Sequence, residues 1–277
     1  MTCYKKFSYK FLFFITLTFQ ILFLQSCNPK SFSNPPIPTE KLGSFETSCG
    51  AGSNLENGHC VVDLCKISVG CSYKTVIEGY NVFVMDSAQS NIENLNQSLE
   101  RLRKKLLDHS LRVTALAKLK GKVNFWITDS KWTTSAMVYH NSSGWLIQQG
   151  MNPNMAVGIE IINTKNFVAW TSDWVQPMMV LHELSHCYHH LILGLDSISV
   201  IHAYESAMAS GIYNAVHYNT ITGPLRPAYA KTNNLEYFAE LTESYFGKND
   251  YYPFTRDQLR IHDPIGFQVM KETWGAL

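Results

Sequence analysis

Along the chain the spacing of apolar positions switches between a period of two and a period near 3.6, and these switches outline the elements. EGYNVFVMD, residues 78–86, alternates and is rich in aromatic and β-branched side chains, which predicts a strand. Over 91–109 the apolar positions become Ile92, Leu95, Leu99, Leu102 and Leu106, the stripe of an amphipathic helix. LRVTALAKL (111–119) continues as a second helix that Gly121 stops. KVNFWITD (122–129) and AVGIEII (156–162) predict two more strands, and SSGWLIQQGMNPN (142–154) between them predicts a loop. DWVQPMMVLHELSHCYHHLIL (173–193) predicts a long helix. Asp173 would be its N-cap, Gln176 completes a capping box, Pro177 stays in the first turn and Gly194 ends it. A further helix is expected over about 200–212 and a short strand in NAVHYNT (214–220). The last helix expected is NLEYFAELTESYF (234–246), closed by Gly247. The fold class is α+β: a small sheet with an edge strand, a central helix and a helical C-terminal part. The tail after 247 reads as a structural closing segment.

The chain has 277 residues, enough for one sizeable core. Its first 26 residues fit none of these elements. Lys5, Lys6 and Lys10 precede an apolar run, FLFFITLTFQILFL (11–24), which is too short for a confident membrane span. Together they predict a signal peptide over 1–26. Without it the chain carries 20 basic and 22 acidic residues and no long basic stripe, so nucleic acid is not an implied partner. LQSC (24–27) resembles a bacterial lipobox, which implies cleavage before Cys27 and lipidation of that cysteine. The expected location is therefore outside the cytoplasm, with a lipid holding the protein on a membrane facing the periplasm or cell exterior. Residues 27–48 are rich in Pro and Ser and read as an extended tether. Cys49, Cys60, Cys65 and Cys71 crowd into 49–71, which predicts a cystine-rich segment with two disulfides. Short loops favour the pairs Cys49–Cys60 and Cys65–Cys71. The main domain is then 72–277.

The chemistry sits in VLHELSHCYHH, residues 180–190. His182 and His186 are four apart, so on a helix both imidazoles leave one face and can reach one ion. Glu183 follows the first histidine and can lie over an open coordination position. There it would take a proton from a zinc-bound water. This is H-E-x-x-H, the zincin signature, and it predicts one Zn2+. Val180, Leu184, Cys187 and Leu191 form an apolar stripe on the other face, with Cys187 as a small buried side chain. Two histidines do not close a zinc site. The position at which metzincins carry a third histidine is Ile192 here, and His189 and His190 cannot easily join His186 from one straight helix. A later helix offers Glu236, Glu240 and Glu243 at i, i+4 and i+7, three acids on one stripe of an aromatic helix. A solvated edge with Asn233 capping the helix is the alternative for that stripe.

YAKTNNLEYFAE, residues 229–240, resembles the third-ligand segment of the anthrax lethal factor-like zinc metallopeptidases, a gluzincin type. The likeness covers about 150–247 and is tight only in the two motifs. It implies a zincin-like fold with His182, His186 and Glu236 on zinc, Glu183 as the base and Glu240 bracing a zinc-binding histidine. Tyr229 would be the phenol over the cleft, with Tyr218 and Tyr237 as weaker rivals. The expected activity is a zinc-dependent metallopeptidase, with a peptide or protein substrate extended beside residues 156–162 as an added strand. Two alternatives stay open: a non-cleaving surface lipoprotein of the same fold, and a zinc hydrolase of a non-peptide amide. His140 reads as structural. Substrate specificity, disulfide connectivity and oligomeric state are not legible.

Overall fold

The computed structural model describes residues 52–56, 59–108, 114–173 and 175–275. The expected signal peptide and tether, with Cys27 and Cys49, lie outside the described residues. The described part is α+β with a mixed sheet of five strands. Among the described residues no helix is long and apolar enough to cross a membrane.

A hairpin of β1 (Ser53–Glu56) and β2 (His59–Val62) is followed by one turn of helix, α1 (Leu64–Ile67), which Asp63 caps. Cys65 and Cys71 are joined as expected, and Cys60 is also disulfide-bonded. Leu64, Cys65 and Cys71 pack against the main domain, so this segment shares its core.

The main sheet contains β3 (Cys71–Ile77), β4 (Tyr80–Met85), β5 (Asn124–Ile127), β6 (Met137–His140) and β7 (Gly158–Ile161), in the order β3-β4-β5-β7-β6. Sequence reading missed β3. It joins β4 through Glu78 and Gly79, whose φ of 51° and 86° match the twist of a tight two-residue hairpin. The pairs β4/β5 and β5/β7 are parallel, and β6 runs antiparallel to β7 on the outside. AVGIEII is therefore an interior strand and not the expected edge. The edge is MVYH, where a loop was expected.

Alternation divides the sheet into two buried faces. Val82, Val84, Phe125, Ile127, Ile159 and Ile161 join the large core beneath the helices. Phe83, Met85 and Trp126 turn to the outer face, with Leu146 and Met155 from the following segment over them. Those two come from α4 (Ser143–Gln148) and a 3-10 turn (Pro153–Met155), where a loop was expected. Ser142 and Asn152 start them by accepting backbone N–H groups.

On the inner face lie α2 (Ile92–Leu107), a single turn α3 (Thr114–Ala117), α5 (Thr164–Trp170) and α6 (Met179–Tyr188). The α6 helix starts six residues later than Asp173, and no side chain caps it. Pro177 lacks an N–H and stays outside, and Asp173 instead pairs with Lys105 at 3.7 Å. A turn of π-helix (His189–Leu193) extends α6 to Gly194, whose φ of 85° ends it. Then come α7 (Ile198–Ser210), the strand pair β8 (Val216–His217) and β9 (Leu225–Arg226), and α8 (Asn234–Phe246). The tail folds as α9 (Arg256–His262) and α10 (Pro264–Trp274), which close the core over α8.

Gly158 opens β7 where backbones crowd. A Cβ there would meet Met155 O at 2.8 Å, Trp126 Nε1 at 3.0 Å and Asn124 O at 3.1 Å. Gly158→Ala should lower stability by about 1–3 kcal/mol through overpacking, seen as an earlier urea midpoint. An unchanged midpoint would contradict this close approach.

Candidate metal centre

The α6 and α8 helices pack against each other and bring the two motifs together. Four residues apart on α6, the rings of His182 and His186 lie 4.8 Å from centre to centre. Asn233 fixes the start of α8 by accepting the N–H groups of Leu235 and Glu236 at 2.9 Å each. Glu236 therefore sits in the first turn, where the helix dipole favours a carboxylate. Tyr237, Phe238, Leu241 and Tyr245 of the same helix are buried, which sets its rotation. The result is one carboxylate oxygen of Glu236 lying 3.1 Å from His182 Nε2 and 3.3 Å from His186 Nε2. The alternative of a solvated acidic edge fails for α8: Glu240 and Glu243 are only 3% and 4% exposed.

The hydrogen bonding tests whether this trio suits a cation. His182 Nδ1 lies 2.7 Å from Glu243 Oε1. A neutral imidazole donates that bond from Nδ1, so its Nε2 lone pair faces the Glu236 carboxylate. Two lone pairs 3.1 Å apart repel unless a positive charge lies between them. In the protein alone that charge is a proton. Burial would lower the His182 pKa, but the bonds to Glu236 and Glu243 outweigh it and hold the ring well above its ordinary value. A divalent cation meets the same need for all three groups. Bonds of about 2.0–2.1 Å in a tetrahedron set donor atoms roughly 3.3–3.4 Å apart, close to the spacing found. The residues present fit a metal ion held by His182, His186 and Glu236.

The carboxylate that meets the histidine is Glu243, where the resemblance implied Glu240. Glu240 Oε1 stands 3.9 Å from His182 Nδ1, and its other oxygen accepts from Asn249 at 3.1 Å. His182, Glu240 and Glu243 also lie close enough to hold an ion. That group is the weaker candidate, because its carboxylates already bond His182 and Asn249. Burial pushes Glu243 up to about 7, against the pull of His182. Burial, then the charges of Asp250 and Glu243, raises Glu240 well above the carboxylate range.

The trio opens on a cleft of about 360 Å³, and Glu183 and Tyr229 line it with the ligands. Tyr229 stands in a 3-10 turn (Tyr229–Lys231), its ring 6.4 Å from that of His182. Burial, then the charge of Glu236, pushes its phenol up to about 12, so it remains a donor at neutral pH. Neither rival lines the cleft. Tyr237 is buried and donates to Asp263 at 2.6 Å, and Tyr218 packs on Tyr251 beneath Arg226. Cys187 is fully buried in the core, as expected. His189 lies buried against Phe238, and burial, then His186 and His190, lowers its pKa to about 4. His190 Nδ1 and the Tyr139 hydroxyl are 2.7 Å apart, which ties the end of α6 to the edge strand.

Sequence reasoning missed three parts of the site. Met137, Val138 and Tyr139 of the edge strand form one wall of the cleft, and Trp132 extends it. Behind them, buried Glu160 binds His140 Nε2 at 2.8 Å and Trp132 Nε1 at 3.1 Å. Asn249 and Asp250 back the acids of α8, with Gln176 donating to Asp250 at 3.3 Å. None of these three carries a local pattern that marks it, because each joins the site through contacts between elements.

Comparison with known proteins finds no matching family model, no matching curated protein and no matching solved structure.

Three substitutions separate ligand from brace, with Zn2+ titrated against a chelating dye as the readout. Glu236→Ala should abolish tight binding, and full retention would remove Glu236 from the ligand set. Glu243→Gln should weaken binding about 10–100-fold, more than Glu240→Gln does. The reverse order would make Glu240 the functional brace.

Proposed function

We propose that the protein is an exported zinc metallopeptidase of the gluzincin type with a zincin-like fold. The observation that carries this reading is the convergence of Glu236 on the two imidazoles of the H-E-x-x-H helix, with Glu183 and Tyr229 in the same cleft. Two nitrogens and one carboxylate oxygen are a donor set suited to zinc. Export and the lipid on Cys27 rest on the N-terminal sequence pattern.

When bound, zinc would supply Lewis acidity, which activates water and polarises the scissile carbonyl. The remaining work falls to the chain. Glu183 would accept the proton of the attacking water and return it to the leaving amine. The Tyr229 hydroxyl, protonated across the neutral range, would donate to the developing oxyanion. Glu243 would hold the tautomer of His182 by accepting its Nδ1–H.

The edge strand supports a peptide substrate. Ile162 N–H bonds Ala136 O, so 136, 138 and 140 turn their backbone groups toward β7. Those of Met137 and Tyr139 turn outward. The Met137 carbonyl accepts from Ser135 Oγ at 2.8 Å, which leaves Tyr139 as the main pairing point. An extended chain would add there as a sixth strand, beside residues 137–140 and not beside 156–162. The cleft also continues past His186, Tyr139 and Glu236 into a smaller hollow of about 120 Å³ flanked by Leu195 and Leu235. Space on both sides of the ligands favours cleavage within a chain.

Glu183→Gln should keep zinc and lower hydrolysis of a denatured-protein peptide mixture by about 10²–10⁴-fold. Undiminished cleavage would strip Glu183 of its role. Tyr229→Phe should reduce kcat about 10²–10³-fold with little change in KM. A loss confined to KM would make the phenol a substrate-binding group only.

A further inference from the structure

On the outer sheet face lies a second hollow of about 440 Å³. Met85, Met151 and Met155 line it, with the hydroxyls of Thr128 and Ser130 at one side. One residue, Trp132, is a wall of both this hollow and the cleft. Its side chain is held from behind. Nε1 donates to Glu160 Oε2 at 3.1 Å, and Glu160 is itself 1% exposed. The same carboxylate engages His140 Nε2 at 2.8 Å, Ser130 Oγ at 3.0 Å and the hydroxyl of Thr128. Burial alone would raise its pKa, but the bonds from His140, Thr128 and Trp132 outweigh that and keep it ionised. A fully engaged buried acid thus fixes an indole that remains 44% exposed, at the junction of two hollows.

We propose that the second hollow is a remote subsite of the peptidase, receiving a large apolar side chain of the extended substrate. This rests on the metallopeptidase reading. A chain paired on Tyr139 and continuing along Met137, Ser135 and Thr133 follows the cleft wall to Trp132. Passing that indole, it enters the second hollow. Three methionines offer an adaptable apolar lining that accepts several large side chains. The amide of exposed Gln149 at the margin can meet the backbone of the entering chain. Neither hollow is lined by lysine or arginine, and Glu160 is already partnered, so no charge on the occupant is called for. Trp132 acts as a positioning residue: it sets the path from the scissile bond to the remote side chain.

The test uses the zinc-loaded full chain and a peptide mixture from denatured casein, with cleavage products identified by mass spectrometry. The residue profile around the cleaved bonds should show an apolar preference separated from the bond by several unselective positions. One cleaved peptide is then made in three forms: full length with leucine at that position, full length with aspartate there, and truncated before it. The leucine form should exceed both others in kcat/KM by about tenfold or more, partly through kcat, as remote binding contributes to the transition state. In Gln149→Trp, a rim substitution at an exposed position, and in Met151→Asp, the ratio of long to truncated peptide should fall to about one. A ratio unchanged in both variants, or a profile without a remote preference, overturns the subsite while the peptidase reading stands. No hydrolysis of any peptide by the wild type overturns that reading, and the subsite with it.

Discussion

Two imidazole nitrogens and a carboxylate oxygen share a space that none of them can occupy comfortably without a positive charge, and much of the structure serves that constraint. His182 has a carboxylate on each ring nitrogen: Glu243 at 2.7 Å and Glu236 at 3.1 Å. His186 shares the second of these. Both helices are committed to the core by their other faces, through Val180, Leu184 and Cys187 on α6 and Phe238, Leu241 and Tyr245 on α8. The histidines cannot move apart from the acid without disturbing that packing. The cation requirement is therefore built into the hydrophobic core, and the electrostatic cost of the site is borne by apolar burial.

The acids behind the site follow from the same constraint. Glu240, Glu243 and Asp250 are buried close together, and burial raises the pKa of each. Three ionised carboxylates in that space would be untenable, so protons are shared among them unless cationic charge is near. The His182 imidazole links this reservoir to the open side of the cleft. A metal on Nε2 would make the ring a stronger Nδ1–H donor, which would favour ionised Glu243 and so couple the acid cluster to the ion. Asn249 and Gln176, both neutral donors, each bond one carboxylate oxygen, of Glu240 and Asp250 respectively, without adding charge.

The local elements were legible because each rests on a short-range signal. The four-residue spacing of His182 and His186, the cap at Asn233, and the i, i+4, i+7 acids are all properties of one helix. What the sequence could not supply were relations between elements. On α8 the azimuth advances about 100° per residue, so Glu240 and Glu243 both lie within roughly 40° of Glu236. Which of them meets His182 depends on how α6 crosses α8, and no residue pattern records that. The edge strand was misread for a similar reason. GIEI is four residues buried on both faces, and the zincin resemblance, not its residue pattern, had put it at the edge. The position of β6 outside β7 is set by the chain's return after α3 and β5, a matter of topology. The start of α6 failed on local grounds instead: a good capping box at Asp173 lost to a proline and to an ion pair with Lys105.

The edge strand shows how the two faces of the sheet cooperate. Four residues long, β6 would be a weak wall if only its ladder with β7 held it. It is clamped from both sides. Tyr139 reaches inward to His190 at the end of α6, and His140 reaches outward to Glu160 on β7. The inner clamp ties the strand to the helix carrying the histidines. The outer clamp ties it to the carboxylate that also holds Trp132. Side chains that alternate across one short strand thus fix its distance to the donor atoms and to the indole at once. The Ser135 hydroxyl on the Met137 carbonyl removes one of the few free edge acceptors, which limits promiscuous strand pairing. A strand held in this way offers its outward backbone groups at Tyr139 in a fixed position beside the donor cluster. A floppy edge could not give that registration, and in the proposed peptidase the alignment of a scissile bond with Glu183 would depend on it.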